Sequence, residues 1–224
     1  YWQDKTYKSP DNKILKLSAD TKIINITCLD ISKERVEKTF KKIFGYGSFM
    51  DPYTFKGKAV QKANKNAVKD SQIVSCPISE KKHGYIYQRL LSNEIRPSIF
   101  EEYRALILDK RISFCHFNLI IGDNQFDDHN QLSFCGDYHD FFSQEEITKI
   151  NLFCEEFKID YGELDIIRDS DDEKIYIIDI ATTPARNPSE MSRYDDTEKI
   201  LKIHAKKIQK YFFLLTENQR NKTI

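Results

Sequence analysis

The stretch Tyr161-Gly-Glu-Leu-Asp-Ile-Ile-Arg168 opens the part of the chain that decides its fold. The polar loop Asp169-Ser-Asp-Asp-Glu-Lys174 follows, and then the mostly apolar run Ile175-Tyr-Ile-Ile-Asp-Ile-Ala-Thr-Thr-Pro184. Each flank is apolar or alternating over the length of a strand, and a short polar connection is typical of antiparallel neighbours. The pattern predicts two antiparallel strands joined by an acidic turn.

Two carboxylates lie inside these apolar strands, Asp165 in the first and Asp179 in the second. An ionised side chain in such surroundings is costly unless a cation or hydrogen bonds compensate it. Mg²⁺ takes carboxylate oxygens and often shares them with nucleotide phosphates, so we expect the pair to bind Mg²⁺. The residues alone leave a second interpretation open, a structural hairpin whose acids bond to lysines or backbone amides.

Length, composition and net charge narrow the class of protein. The chain has 224 residues, of which 40% are hydrophobic, and its 35 Lys and Arg balance its 35 Asp and Glu. Zero net charge gives no bulk attraction to nucleic acid or to a membrane surface, and no stretch is apolar enough for a membrane span or a signal peptide. Five scattered cysteines without a Cys-x-x-Cys pair indicate reduced thiols. We therefore expect a cytoplasmic protein with no nucleic-acid or membrane partner.

The order of the predicted elements indicates an α+β protein. Ser32 is placed to cap a helix over 33–43. Ser143 with Glu146 forms a capping box for a helix that begins at Gln144 and points Ile147, Ile150, Leu152 and Phe153 inward. A long closing helix is predicted at 196–217, and 123–140 is predicted as a surface loop. Besides the two strands above, the pattern predicts strands at 22–27, 58–62, 71–75, 85–91, 103–108 and 113–120. Asp109-Lys-Arg111 between the last two is short enough for a hairpin. Successive strands with helices set apart favour α+β over a doubly wound sheet.

With its strands in this order, the chain resembles the ATP-grasp superfamily, in which two α+β lobes with antiparallel sheets hold ATP in the cleft between them. Gly162-Glu-Leu-Asp165, the acidic turn and Tyr176-Ile-Ile-Asp-Ile-Ala-Thr-Thr-Pro184 are similar to the metal motif of D-alanine–D-alanine ligases. The resemblance implies that Asp165 and Asp179 bridge Mg²⁺ to the ATP phosphates. Ala181 departs from the motif, because it stands where the family usually has an Asn ligand.

Further upstream, Lys58-Ala-Val-Gln-Lys62 resembles the strand that carries the family's phosphate-binding lysine. Alternation puts Lys58 and Lys62 on one face, and Lys62, the last of the strand before the turn, matches the family's lysine. The resemblance implies that both lysines bind the nucleotide. The turn over 64–70 contains no glycine, whereas the family's phosphate loop usually relies on it.

Two further matches complete the implied site. Gln88 holds the position of a family Gln or Glu beside the adenine, and the backbone of Arg89, Leu90 and Leu91 would offer an amide and a carbonyl to the adenine edge. Arg104, in Glu102-Tyr-Arg104, resembles the family's arginine that supports a phosphate or acyl phosphate. The alternative interpretations give these residues no binding role: Lys62 is a solvated lysine, Gln88 an ordinary strand glutamine, and Arg104 the ion-pair partner of Glu101 or Asp109.

The resemblance implies an ATP- and Mg²⁺-dependent ligase that activates a small carboxylate through an acyl phosphate for attack by an amine. Lys62 and Arg104 would be its catalytic cations, and its partners would be a small-molecule carboxylate and amine. Two alternatives stay open. Ala181 and the glycine-free turn favour a degenerate domain that binds a nucleotide or a partner without turnover, and an ATP-grasp kinase that phosphorylates a hydroxyl would use the same nucleotide site.

The same resemblance divides the chain into three parts. Residues 1–56 form an N-terminal segment with one helix, 57–92 a small nucleotide-binding lobe, and 93–224 the larger lobe with the metal hairpin and the closing helix. Only about 56 residues precede the small lobe in this sequence, so we expect the family's usual substrate lobe to be short or absent. A homodimer is one way to complete the substrate site.

Zinc is a weaker hypothesis for this chain. His116, His129, Cys135 and His139 are of the residue types that bind zinc. Their spacing matches no compact ligand pattern, so a strand histidine and two loop histidines are the favoured interpretation.

Overall fold

The structure is a computed structural model that describes residues 5–9, 12–17, 21–68, 70–126, 131–184 and 196–220. These residues form two antiparallel sheets with helices packed on the larger one, which confirms the predicted α+β class. The helices are α1 Asn12–Leu17, α2 Lys33–Phe44, α3 Tyr138–Phe141, α4 Gln144–Phe157 and α5 Thr197–Arg220. The strands are β1 Gly57–Ala63, β2 Gln72–Cys76, β3 Tyr85–Arg89, β4 Glu94–Arg96, β5 Ile99–Leu108, β6 Arg111–Ile121, β7 Gln131–Gly136, β8 Tyr161–Arg168 and β9 Ile175–Ala181.

The small sheet has the order β2-β1-β3, with β1 antiparallel to both neighbours. The large sheet has the order β7-β6-β5-β8-β9, and the short β4 also pairs with β5. Asp109 and Lys110 connect β5 to β6 with positive φ angles of 51° and 64°, the conformation that matches the twist of a tight hairpin. The predicted hairpin at this position is confirmed, as is the antiparallel pairing of β8 with β9.

Helices α2 and α4 cover one face of the large sheet and build the main core. Ser32 caps α2, and Ser143 with Glu146 forms the predicted capping box of α4. The core is aromatic where the helices meet the sheet: Phe40, Phe153 and Phe157 are fully buried. Part of the opposite face is covered by α5, whose Ile200 packs with Leu106, Leu108 and Phe114. The remainder of that face turns toward the small sheet and carries the candidate site.

Three local expectations from the sequence are wrong. Residues 24–27 form a turn rather than a strand, because Asn25 adopts a φ of 55° and its side chain bonds to the backbone of 160–161. The predicted loop at 123–140 contains β7 and α3, since β7 pairs along β6 without an alternating pattern of its own. Leu152, expected to point inward, is 44% exposed.

Among the described residues, no helix has the length and apolar character needed to cross a membrane.

Candidate functional site

Two carboxylates face each other across the last pair of strands. Asp165 of β8 and Asp179 of β9 are directly opposite in register, so both side chains lie on one face of the large sheet. Oδ1 of Asp165 is buried and makes no hydrogen bond to any described residue. Burial is the main cause that raises the pKa of Asp165 well above its ordinary range; Arg104 opposes the shift and neighbouring carboxylates add to it. A bound cation would relieve the cost of ionising this group.

Arg104 places a fixed positive charge beside Asp165. It lies on β5 opposite Asp165, and its Nη2 is 3.5 Å from Oδ2 of that residue. Its Nε donates a hydrogen bond of 2.8 Å to Glu102, and its Nη1 lies 3.4 Å from Glu163. Burial alone would lower the pKa of Arg104, but the three carboxylates raise it well above its ordinary value. The guanidinium therefore stays charged in this site.

Two lysines approach the same carboxylates from other elements. Lys62, near the end of β1, is buried, and its Nζ donates to the carbonyl of Ile178 on β9 at 3.4 Å. Lys33, the first residue of α2, is also buried, and its Nζ is 3.0 Å from Oδ2 of Asp179. Burial lowers the pKa of Lys62 to about 8, despite the opposing influence of Asp179. The tertiary fold thus gathers three cations, from α2, β1 and β5, around the two aspartates.

The turn after β1 lies against the same edge. Nδ2 of Asn66 donates to the carbonyl of Ile180 at 3.1 Å, and Ala67 adopts a φ of 57°. A non-glycine residue therefore occupies the left-handed conformation that glycine adopts most easily. The turn has no glycine, yet it still bends sharply enough to reach β9.

A small cavity lies beside the charged cluster, between the two sheets. Residues from strands of both sheets and from the neighbouring loops line it: Val60, Lys62, Gln88, Arg89, Leu91, Asn93, Glu102, Gln125, Phe126, Ile167 and Ile178. The room available to the centres of water molecules is about 60 Å³, enough for a few waters. Gln88 is fixed in the wall by a 2.8 Å bond to Ser48, which in turn bonds to Glu37 of α2. Leu91 lies two residues after the end of β3 and lines the cavity together with Gln88 and Arg89.

Not every residue singled out in the sequence reaches the cluster. Lys58 is exposed, although it shares the β1 face of Lys62, and it does not line the cavity. The guanidinium of Arg89 turns to the acidic turn after β8, with Nη1 2.6 Å from Asp169 and Nη2 2.9 Å from Asp172. Its backbone amide is bonded to the carbonyl of Ser48. Leu90 follows β3 without lining the cavity.

Sequence reasoning missed Lys33. In the sequence it follows a helix cap and looks like any solvated lysine. Only the packing of α2 on β9 brings it to Asp179. One local signal existed: a cation in the first helical turn opposes the helix dipole, and such conflicts mark residues with a role outside their own helix.

The donor set near Asp165 and Asp179 fits Mg²⁺ in the form that nucleotide sites use. Mg²⁺ is often held by one or two carboxylates, with phosphates and water completing the octahedron. Asp165 contributes a buried oxygen without a hydrogen bond from any described residue, and Asp179 lies directly opposite. Ala181, two residues beyond Asp179, adds no side-chain oxygen. The ion would therefore depend on oxygens from the ligand.

The fold has counterparts among solved structures. D-alanine–D-alanine ligase from Bacillus anthracis matches with a TM-score of 0.53 at 12% identity, over 85% of this chain and 68% of that chain. The same enzyme complexed with ATP matches with a TM-score of 0.51 over the same shares of the two chains, again at 12% identity. The ATP-grasp ligase PsnB, complexed with a minimal precursor, gives 0.51 at 12% identity, over 71% of this chain and 54% of that chain. The chain therefore has an ATP-grasp fold.

The other comparisons limit this conclusion to the fold. Neither a protein-family model nor a curated protein matches the chain. The chain spans about half the length of the PsnB structures, 54% in one and 52% in another.

Proposed function

We propose that the chain binds ATP and Mg²⁺ between its two sheets and uses them to activate a carboxylate as an acyl phosphate, which an amine then attacks. One observation carries this proposal: Lys33, Lys62 and Arg104 converge from three elements on the facing pair Asp165 and Asp179. A polyphosphate bound with a divalent cation needs both kinds of charge, cations for its oxygens and carboxylates for its metal.

Each group has a chemical role in this proposal. Lys62 and Lys33 would neutralise phosphate oxygens, and Arg104 would stabilise the charge that spreads over the transferred phosphoryl group. Asp165 and Asp179 would hold Mg²⁺, which supplies electrostatic stabilisation of the phosphates when bound. The backbone at Leu90 and Leu91 would bond to the adenine edge. No side-chain nucleophile is needed, because positioning and charge stabilisation provide most of the rate in phosphoryl transfer.

The carboxylate substrate remains to be found by assay. PsnB was solved with a minimal precursor, and the Bacillus anthracis enzyme is named for D-alanine, so amino acids and larger molecules that carry a carboxylate both belong in the panel. Hydroxyl acceptors belong there as well, because a kinase would use the same nucleotide site.

A second candidate is a domain that binds a nucleotide or a partner without turnover. Ala181 removes one metal ligand from the resembled motif, and Lys33 already pairs with Asp179. In such a domain, Ala181→Asn should tighten Mg²⁺-dependent ATP binding without producing turnover, since it restores an oxygen ligand.

Calorimetry with ATP and Mg²⁺ tests the nucleotide site. We expect Lys62→Ala to weaken ATP binding at least about tenfold, which corresponds to about 1.4 kcal/mol. Lys58→Ala is the matched control, because Lys58 lies on the same strand face but is exposed, and it should bind ATP as the wild type does. Undetectable binding of ATP and ADP to the wild type would refute the proposal.

Phosphate and ADP release then separates the candidates. An enzyme should show release stimulated by one member of the panel and lost in Asp179→Asn. Release stimulated by a carboxylate and amine together indicates the ligase, and release stimulated by a hydroxyl compound indicates the kinase. Binding without stimulated release indicates the inactive domain, and stimulated release that persists in Asp179→Asn would show that the hairpin does not hold the catalytic metal.

A further inference from the structure

A second group of potential metal ligands lies on the same face of the large sheet, beneath α5. His116 of β6, Glu163 of β8 and His204 of α5 each offer one ligand atom, and these three atoms lie within 4.8 Å of one another. The three residues are 0%, 4% and 9% exposed. They come from elements separated widely in the sequence, so no spacing motif reveals them.

The two histidines of this group have apolar surroundings. Phe114 lies beside both histidines, with ring centroids 6.2 Å from His116 and 5.2 Å from His204. The two imidazoles are 5.7 Å apart, and Leu106 and Ile200 build the neighbouring core. Polar groups are costly in such a place unless they bond to one another or coordinate a metal ion, and imidazole is the commonest metal ligand in proteins.

We propose that His116, Glu163 and His204 form a binding site for a divalent transition-metal ion, with Zn²⁺ as the expected occupant. Two imidazoles and one carboxylate are a known three-ligand set for Zn²⁺, with water in the fourth position. A tetrahedral Zn²⁺ at about 2.0–2.2 Å from each ligand needs ligand atoms about 3.4 Å apart, so small side-chain rotations from the present arrangement suffice. Two nitrogen ligands disfavour Mg²⁺, which prefers oxygen.

This site is separate from the proposed Mg²⁺ site, and its existence does not depend on nucleotide binding. The zinc grouping that the sequence spacing disfavours was a different set of residues, His116 with Cys135, His129 and His139. His139 is exposed and bonded to Asp137, and His129 lies outside the described residues. An ion held here would fasten α5 to β6 and β8. Glu163 also lies near Arg104, so the ion would fix one neighbour of the charged cluster.

Cobalt substitution tests the site. After treatment of the full chain with chelator and dialysis, we expect Co²⁺ to bind at one ion per chain. The bound ion should give a visible absorption band that is typical of Co²⁺ with few ligands. Zn²⁺ should displace it, whereas Mg²⁺ should not. Zn²⁺ should also raise the melting temperature, because a ligand that binds only the folded state stabilises it.

Variants assign the ion to these residues. The Co²⁺ band and the Zn²⁺-dependent stabilisation should be lost in His204→Gln and in Glu163→Gln. Both should persist in the matched control His139→Gln, and in Asp179→Asn, which alters only the proposed Mg²⁺ site. Absence of stoichiometric Co²⁺ binding to the wild type overturns the proposal without the need for any variant. Binding that persists in a folded His204→Gln and a folded Glu163→Gln overturns it as well.

Discussion

The ammonium group of Lys62 is buried where the two sheets meet, in contact with a backbone carbonyl and near the charges of Lys33, Asp165 and Asp179. A buried lysine is costly to keep charged, and a protein retains one where its charge is used. Neither the strand pattern nor the composition distinguishes Lys62 from the exposed Lys58. The resemblance in motif order did distinguish them, and the burial of Lys62 agrees with that choice.

The first prediction concerns the pH dependence of stability without nucleotide or divalent cation. Burial lowers the pKa of Lys62 from 10.5 to about 8. Between these two values the unfolded chain binds a proton that the folded chain does not, so the free energy of unfolding rises with pH in this window. We compare the free energy of unfolding of the wild type with that of Lys62→Met. From about pH 7 to about pH 10, we expect the difference between them to change by about 2 kcal/mol in favour of the wild type. Urea unfolding at several pH values measures it.

Lys58→Met is the control for this series. Its side chain is exposed, so its difference from the wild type should stay flat over the same range. A flat difference for Lys62→Met as well would mean that Lys62 is solvated in solution.

At the scale of the elements, Glu146 of α4 takes part both in the cap of its own helix and in an ion pair with a neighbouring strand. Glu146 accepts a hydrogen bond from the Ser143 amide, and its carboxylate also binds Arg168 of β8, with Nη1 2.9 Å away. The capping box was readable from four consecutive residues. The ion pair was not, because it depends on how α4 packs against β8.

The second prediction separates these two contacts. Burial would raise the pKa of Glu146, but Arg168 and the Ser143 amide lower it below the ordinary 4.5. The stabilisation is therefore fully present above pH 4.5 and is lost as the pH falls through the folded-state pKa. Glu146→Gln keeps a capping group but loses the charge, so we expect it to cost about 1 kcal/mol near neutral pH and less in acid.

Glu145→Gln provides the comparison in the same helical turn. The Glu145 carboxylate pairs with Lys149 but is 77% exposed, so its removal should change the unfolding free energy by less than about 0.5 kcal/mol. A loss in Glu146→Gln that is equal at acid and neutral pH would contradict the ion-pair explanation.

Element by element, the sequence predicted most clearly what local chemistry determines. The capped helices, the β5–β6 hairpin and the β8–β9 pair all follow from caps, turns and periodicity. Strand β7 has little local pattern, and its pairing with β6 decides its conformation. The turn at Asn25 likewise depends on contacts with residues more than a hundred positions away. Long-range partners of this kind leave no periodic signal.

At the scale of the whole molecule, α2 connects the N-terminal part of the chain to the large sheet. Phe40 stacks on Phe44 at 4.3 Å and packs near Tyr176 of β9 at 5.8 Å, so the helix belongs to the main core. This packing delivers Lys33 to Asp179. The site therefore assembles only when the N-terminal segment, the small sheet and the large sheet are all in place, which explains why the sequence revealed its carboxylates better than its cations.

The pairing of Lys33 and Arg104 with the two aspartates has a consequence for the order in which ligands bind. Both aspartates already have cationic neighbours, so Mg²⁺ alone would compete with Lys33 for Asp179 and would be repelled by Arg104 beside Asp165. ATP carries more negative charge than Mg²⁺ carries positive charge. When the two bind together, the phosphate oxygens of ATP would provide a new anionic partner for each displaced cation. In the proposed function, the affinities of the two ligands would be reciprocally coupled, each raising the other by the same factor.

Calorimetric titrations in both orders measure this coupling. We expect no detectable binding of Mg²⁺ alone, and ATP binding at least about tenfold tighter when Mg²⁺ is present, a coupling of about 1.4 kcal/mol. Lys33→Gln should shrink the coupling, because Asp179 then lacks its ion pair and Mg²⁺ gains affinity in the absence of ATP. Tight binding of Mg²⁺ to the nucleotide-free wild type would contradict this account. In the proposed function, the cations of the protein would act as temporary counterions that keep the two aspartates available for a metal that arrives with its nucleotide.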